Sequence, residues 1–477
     1  MRVVRARSGA FANRFGATDW CGSRFRSRMN NQNGSSGPSG GSSGGKNHLE
    51  HALGAKATRA RREAKLALGR LGPGLITGAA DDDPSGIATY SQAGAQFGLN
   101  MLWTPIFTYP LMLAVQSICA RVGRVTGNGL AANLNDIFPR WLVIGLVGLL
   151  FVANTINIGA DVAAMGAAVL LLTGWGQTLF TLAAAGLSLL LQLFVPYHRY
   201  VSLLKWLTLV LFAYFGVILT IHIDWATVAR SIFLPDVALN AAFVTMVVAV
   251  FGTTISPYLF FWQTSEEVED MDEHNRPVLR DLSPNAARLE LKRIGTDTIV
   301  GMAFSNLVAF SIILTAAVTL HQAGVTDIQT SAQAAQALRP IAGQLAFLLF
   351  SLGIIGTGLL AVPVLAGSTA YAAAEVFGWK QGLENKPADA KGFYGVIVVS
   401  MIVALGVVFS PLDPIKALFW SAVVNGVIAV PILGATMILA SRRDEMGEFV
   451  ATRGQRIFGW AATAVMGVAA IALFVFV

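Results

Sequence analysis

The run Gly78-Ala79-Ala80-Asp81-Asp82-Asp83-Pro84-Ser85-Gly86-Ile87-Ala88-Thr89-Tyr90 decides how this chain is read. Apolar residues precede it from Leu71, and a mostly apolar stretch follows from Ala93 to Trp103. Neither flank alone reaches the roughly 20 residues a helix needs to cross a bilayer. Together they do, with three carboxylates and a Pro-Ser-Gly break in the middle. A charge at mid-membrane costs at least about 2.5–3.5 kcal/mol. Proline removes a helix donor and glycine lets the backbone leave helical geometry. A broken acidic span reads as a cation site, where freed carbonyls and a carboxylate replace water. The alternative is an ordinary helix start, with Asp83 as cap, Pro84 at the first helical position and the triplet outside the membrane.

The rest of the chain supports a membrane setting. Of 477 residues, 54% are hydrophobic and 13% charged, against about 25% charged in soluble domains. Mean hydropathy is +0.60. The expected class is an all-α polytopic membrane protein with eleven spans. They cover 71–97 (broken), 101–120, 141–171, 177–196, 201–221, 240–265 (broken), 295–320, 341–377, 393–410, 414–440 and 457–477. The net charge of +7 does not point to nucleic acid, because the basic residues cluster in the tail and in short connections. Fourteen of the 34 Lys and Arg precede residue 71; with the N-terminus inside, 17 fall in inside connections and only Arg230, Arg339 and Lys416 outside. That bias places the N-terminus in the cytoplasm and the C-terminus outside, and the expected location is a bacterial plasma membrane. Cys21 and Cys119 offer neither ligand spacing nor a disulfide framework.

The organisation follows from these spans. Residues 1–48 read as a disordered basic Gly/Ser-rich tail, and 49–70 as a basic cytoplasmic helix. The tail's arginines loosely resemble a transit peptide, and Met29 is an alternative start. Residues 71–222 form a first five-helix unit, 223–239 an external loop, 240–440 a second unit, and 441–477 a cytoplasmic loop with an eleventh helix. The second unit opens with another interrupted span: apolar Val247–Gly252, then Thr253-Thr254-Ile255-Ser256-Pro257-Tyr258, then Leu259–Trp262. Interrupted helices in corresponding positions of two oppositely oriented halves are the sequence sign of an inverted-repeat transporter. A proline kink without a binding role is the plainer reading of span six taken alone.

Particular residues now carry a resemblance. Gly72-Pro73-Gly74-Leu75-Ile76-Thr77-Gly78, Asp83-Pro84-Ser85-Gly86 and Gln92-Ala93-Gly94 resemble the first helix of Nramp divalent-metal transporters. Arg121–Gly127 and Gly159-Ala160-Asp161-Val162 are similar to further segments of that family, and Pro257 matches the proline of its Met-Pro-His. The resemblance covers residues 71–477. It implies the LeuT-type fold, two inverted five-helix units plus one C-terminal helix. It also implies a metal site at Asp83, the carbonyls of Gly86 and Thr253, and Ser256. The departures are specific. Gly86 stands where the family has Asn, Ser256 where it has Met, Tyr258 and Gln263 where it has His, and Ala164 where a Glu often follows Asp161. Losing the thioether leaves hard oxygen ligands, which suit Mg²⁺, Ca²⁺ or Mn²⁺. The lost His and Glu are groups to which proton coupling is attributed in the family. In these losses the chain is similar to the Nramp-related magnesium transporters.

The implied function is alternating-access transport of Mg²⁺ or Mn²⁺ without firm proton coupling. The protein is expected to be no enzyme, to need no cofactor because the metal is cargo, and to be a monomer or weak oligomer in the lipid bilayer. Further pathway candidates are Asp81, Asp82, Ser85, Thr254, Tyr258, Gln263, Asp161 and Asn425. Asp81 and Asp82 read as a cation-concentrating pair, as vestibule lining or as a solvated acidic turn. Asp161, with Asn154 and Asn157, reads as an ion path or a structural partner. Asn425 faces the site or makes an interhelical hydrogen bond. Glu266, Glu267, Glu269 and Asp270 read as a solvated end of span six. Gly353–Gly358 reads as close helix packing, with no strand before it for a phosphate loop. Competing functions are an amino-acid carrier of the same fold, an intramembrane aspartyl protease using Asp83 and Asp161, and a passive channel.

Overall fold

The structure, a computed structural model, describes residues 73–196, 207–236, 240–383, 385–409 and 413–476. The basic tail, the expected helix over 49–70, and residues 201–206 of the fifth span lie outside them. The described residues contain helices and connections and no strand. Among the described residues, fifteen helices have eight or more residues. They are α1 Pro73–Asp81, α2 Pro84–Phe97, α3 Trp103–Thr126, α4 Leu130–Ile137, α5 Arg140–Thr173, α6 Gln177–Phe194, α7 Phe212–Thr220 and α8 Trp225–Phe233. The chain continues with α9 Ala241–Thr254, α10 Pro257–Glu273, α11 Pro284–Ala316, α12 Ala346–Phe377, α13 Lys391–Val408, α14 Pro414–Ser441 and α15 Arg453–Phe476.

Eight helical segments among the described residues are long and apolar enough to cross a bilayer. A pair bent by 117°, Leu209–Thr220 with Trp225–Phe233, would make nine. The expected first span is not among them: it consists of helices of 9 and 14 residues with three carboxylates at their junction, whereas Ala241–Glu273 counts as one segment across its own break. The expected ninth corresponds to α13, an apolar helix of 18 residues. The connection expected as an external loop holds α8, capped by the Asp224 carboxylate accepting from the amides of Ala226 and Thr227.

Long apolar helices have no polar stripe to orient them, so small residues decide which faces meet. α1 and α2 both pack on α11, and α9 packs on α14. A Cβ added at Gly78 would stand 2.3 Å from the Gly301 carbonyl oxygen, and one at Gly252 2.1 Å from that of Ala422. These positions admit only glycine because backbone meets backbone there. Gly358 is similarly tight, a Cβ there falling 2.6 Å from Met165 Sδ, in keeping with the helix-packing reading of that glycine-rich stretch. α5 runs beside α12, α13 and α14 and makes one wall of the volume that holds the two breaks.

Candidate metal site at two helix breaks

The first break is local chemistry written into the acidic run. α1 stops at Asp81, and Asp83 takes an extended conformation (φ −71°, ψ 171°) as the cap of α2, with Pro84 first in the helix. Asp83 Oδ1 accepts from the Ser85 hydroxyl at 2.6 Å and the Gly86 amide at 2.7 Å. Oδ2 accepts from Asn157 Nδ2 at 2.9 Å. The capping alternative thus describes the local geometry correctly, although the triplet is buried in the protein. Asp81, Asp82 and Asp83 are 0%, 1% and 2% exposed. A solvated acidic turn is therefore corrected: Ser305 of α11 bonds both Asp81 Oδ2 and Asp82 Oδ1. The other oxygen of each has no hydrogen-bond partner among the described residues.

The second break lies between Thr254 and Pro257. Ser256 stands at the N-cap position of α10 without a side-chain bond to that helix; its hydroxyl lies 2.8 Å from the carbonyls of both Gly252 and Thr253, to which it donates. That closes the end of α9 and turns the Ser256 oxygen lone pairs away from it. Thr254 Oγ1 donates to the Val250 carbonyl at 2.7 Å and lies 3.1 Å from the Tyr90 hydroxyl of α2. Tyr258 donates to the Ala80 carbonyl at 3.2 Å. The two breaks therefore touch. A Cβ built on Gly86 would lie 3.3 Å from Thr253 Oγ1 and 3.5 Å from Asp83 Oδ1. Gly86 is the gap between the carboxylate and the second break. The C-terminal ends of α1 and α9 both open here, and helix C-termini carry unsatisfied carbonyls and partial negative charge. Together they make a buried, oxygen-rich, cation-attracting space.

Other sequence candidates fall around it. Asp161, four residues past Asn157 on α5, is fully buried, and neither of its oxygens has a hydrogen-bond partner among the described residues. The same holds for both polar atoms of Asn425 on α14, so no interhelical hydrogen bond is formed there. Asn154 Nδ2 lies within hydrogen-bond reach of the Leu365 carbonyl, Ser368 and Thr369 on α12, and its Oδ1 has no partner among the described residues. Gln263 Nε2 reaches Glu267 Oε1 at 3.4 Å. The solvated end expected for span six is corrected in part. Glu266 and Glu267 are 3% and 0% exposed, and Glu267 Oε2 pairs with Arg293 at 3.3 Å. Asp270 meets Arg276 at 2.9 Å and Arg293 at 3.4 Å. Long side chains from α11 and the α10–α11 connection fold over these acids, and sequence distance conceals that cover.

Reading the sequence missed Ser305, Ser421 and Tyr90. Ser421 Oγ donates to Asn157 Oδ1 at 2.7 Å. Its only signal was position, one turn before Asn425 on an apolar helix. No group of three or more His, Cys, Asp or Glu side chains converges in metal-binding geometry among the described residues. A cation held at the breaks would be held mainly by carbonyls and hydroxyls around one carboxylate.

Comparison with known proteins agrees with this geometry. A family model described as natural resistance-associated macrophage protein-like matches residues 74–476. A divalent metal cation transporter MntH of Klebsiella pneumoniae is 27% identical over 421 residues, 86% of this chain and 94% of that protein. One from Yersinia pestis is 26% identical over 416 residues, 84% and 93% of the two chains. Among solved structures, a manganese transporter of Eremococcus coleocola superposes with TM-score 0.67 at 17% identity, covering 85% of this chain and 86% of that one. The nucleobase-cation symporter Mhp1 follows at TM-score 0.50 and 12% identity, covering 84% of this chain and 92% of Mhp1. A match that spans nearly all described helices, and both breaks with them, is decisive: the chain belongs to the Nramp family of divalent metal ion transporters and is an integral membrane transporter, not an enzyme.

Proposed function

We propose that this protein moves Mg²⁺ or Mn²⁺ across a bacterial plasma membrane by alternating access, without coupling to protons. The observation that carries this reading is Asp83, a buried carboxylate at one helix break, set against a second break that presents oxygen and no sulfur. Asp83 Oδ2 and Ser256 Oγ supply side-chain oxygens to the ion, and Gly86 and Thr253 supply carbonyls. Gly86 lies in the first turn of α2, so its carbonyl is shared between helix and ion. The Ser256 hydroxyl proton is committed to α9 carbonyls, which leaves its lone pairs to the metal. Thr254, Tyr258, Ser85 and Gln263 line the approach, and Asp81 and Asp82 concentrate cations beside it. Hard donors favour hard ions, and relatives named as divalent metal and manganese transporters support the cargo class.

The half-helices rock against the scaffold to open the site to each side in turn. Tyr258, Gln263 and Ala164 leave no His or Glu at the positions to which coupling is attributed in the family. Asp161 remains the single acid on α5 that could hold a proton on the path. Eleven crossings, a cytoplasmic N-terminus and a monomeric or weakly associated state complete the reading. An amino-acid substrate is disfavoured, since three neighbouring carboxylates repel its own. Uptake into proteoliposomes with an internal pH dye tests the proposal. The parent is expected to take up Mn²⁺ and Mg²⁺ without acidification, and Asp83→Ala to lose uptake. Metal-dependent acidification would overturn the uncoupled reading, and parental uptake by Asp83→Ala would overturn the site.

A further inference from the structure

We propose that Asn157 is a positioning residue for the ion: clamped by Ser421, it holds Asp83 so that one lone pair of Oδ2 faces the metal. The inference rests on the site assigned above and adds two residues from outside the broken helices.

An ionised carboxylate has about four acceptor positions. On Asp83, Oδ1 has two of them filled, by the Ser85 hydroxyl and the Gly86 amide. Oδ2 has one filled, by Asn157 Nδ2. The local Ser85 and Gly86 bonds gather on the Oδ1 side and Asn157 bonds Oδ2, so Asp83 can offer an ion a single-oxygen contact from Oδ2 with a fixed direction. Asn157 chooses that direction. It is wholly buried, and its amide can face Asp83 in one sense only, because a carboxylate accepts and does not donate. Nδ2 must point to Asp83, and Oδ1 is then left needing a donor. Ser421 supplies it at 2.7 Å. The Ser421 hydroxyl lies within reach of a second acceptor, the Leu418 carbonyl, also at 2.7 Å, so its proton is shared between scaffold and clamp. The chain Ser421–Asn157–Asp83 joins α14, α5 and the break before α2. It ties the ion-holding oxygen to two helices that have no break themselves. Without the clamp, water takes the vacated position on Oδ2 and the direction of the free lone pair is lost.

The test is saturation kinetics of Mn²⁺ uptake in proteoliposomes, normalised to inserted protein. The variants are Asn157→Leu, which keeps volume, Ser421→Ala, which removes one oxygen, their double, and Asp83→Ala. Hydrogen bonds to charged groups suggest a KM about tenfold higher or more for Asn157→Leu. A neutral bond suggests about two- to tenfold for Ser421→Ala. Maximal rate should stay within about twofold in both, because ground-state positioning, not the conformational step, is changed. Ser421 acts through Asn157, so Ser421→Ala should add nothing in the Asn157→Leu background. A parental KM in Ser421→Ala, effects that multiply in the double, or a fall in maximal rate at unchanged KM would each overturn the clamp. If that happens while Asp83→Ala is inactive, the site stands and only the clamp is lost. If Asp83→Ala transports like the parent, both fall.

Discussion

A single residue type at one position sets much of the expected ion preference. In the proposed site, Ser256 would supply oxygen where a thioether would supply a soft, polarisable sulfur. Ser256→Met is therefore expected to raise Cd²⁺ uptake relative to Mg²⁺ severalfold in a competition assay, and an unchanged ratio would argue that Ser256 does not touch the ion. The same change removes the two bonds that close the end of α9, so its total uptake should fall as well. Tyr258 acts differently. It joins the two breaks through the Ala80 carbonyl, and Tyr258→Phe removes one neutral hydrogen bond, worth about 0.5–1.5 kcal/mol. The expected outcome is a small loss of thermal stability in detergent with the metal ranking unchanged.

At the scale of helices, close approach and buried charge dominate. Gly252 lets α9 lie against α14, where any Cβ would overlap the Ala422 carbonyl. Overpacking of this kind costs about 1–3 kcal/mol, and more when backbone is the obstacle. Gly252→Val should lower the melting temperature of purified protein and displace the second break, reducing uptake. A parental melting curve would show that α9 and α14 are not packed as described. At the far end of α10, Glu267 is fully buried and paired with Arg293. Breaking a buried pair by removing one partner costs about 3–5 kcal/mol. Arg293→Gln is expected to be markedly less stable, and Arg293→Gln combined with Glu267→Gln to recover most of the loss.

For the whole molecule, ligand linkage and sidedness are the accessible measurements. An ion that binds the folded state at a hundred times its Kd stabilises it by about 2.7 kcal/mol. Mn²⁺ should therefore raise the melting temperature of the parent and leave Asp83→Ala unmoved. Sidedness rests on the distribution of Lys and Arg. On a background without Cys21 and Cys119, Asn285→Cys should react with impermeant thiol reagents only from the cytoplasmic side and Asp327→Cys only from outside. The reverse pattern would invert the assignment.

The sequence by itself pointed to a helical membrane protein, to interruptions within Asp81–Gly86 and Thr253–Tyr258, and to a resemblance to the Nramp family; the structure put the breaks at Asp82–Asp83 and Ile255–Ser256. Composition, proline and glycine act locally, so they are legible without a fold. Asp83 as cap with Pro84 following is likewise a matter of three neighbouring residues. Only the tertiary structure decided that the acidic run is buried, that Ser305 bonds both Asp81 and Asp82, that Asn157 reaches Asp83 from 74 positions away, and that Ser421, 264 positions further along, holds Asn157. It also covered Glu266 and Glu267, which a sequence reading leaves in water. Polar residues scattered along apolar helices have no periodic pattern to announce their partners. Which of them meet is settled by where glycine allows two backbones to touch, and that is a property of pairs of helices, not of either one.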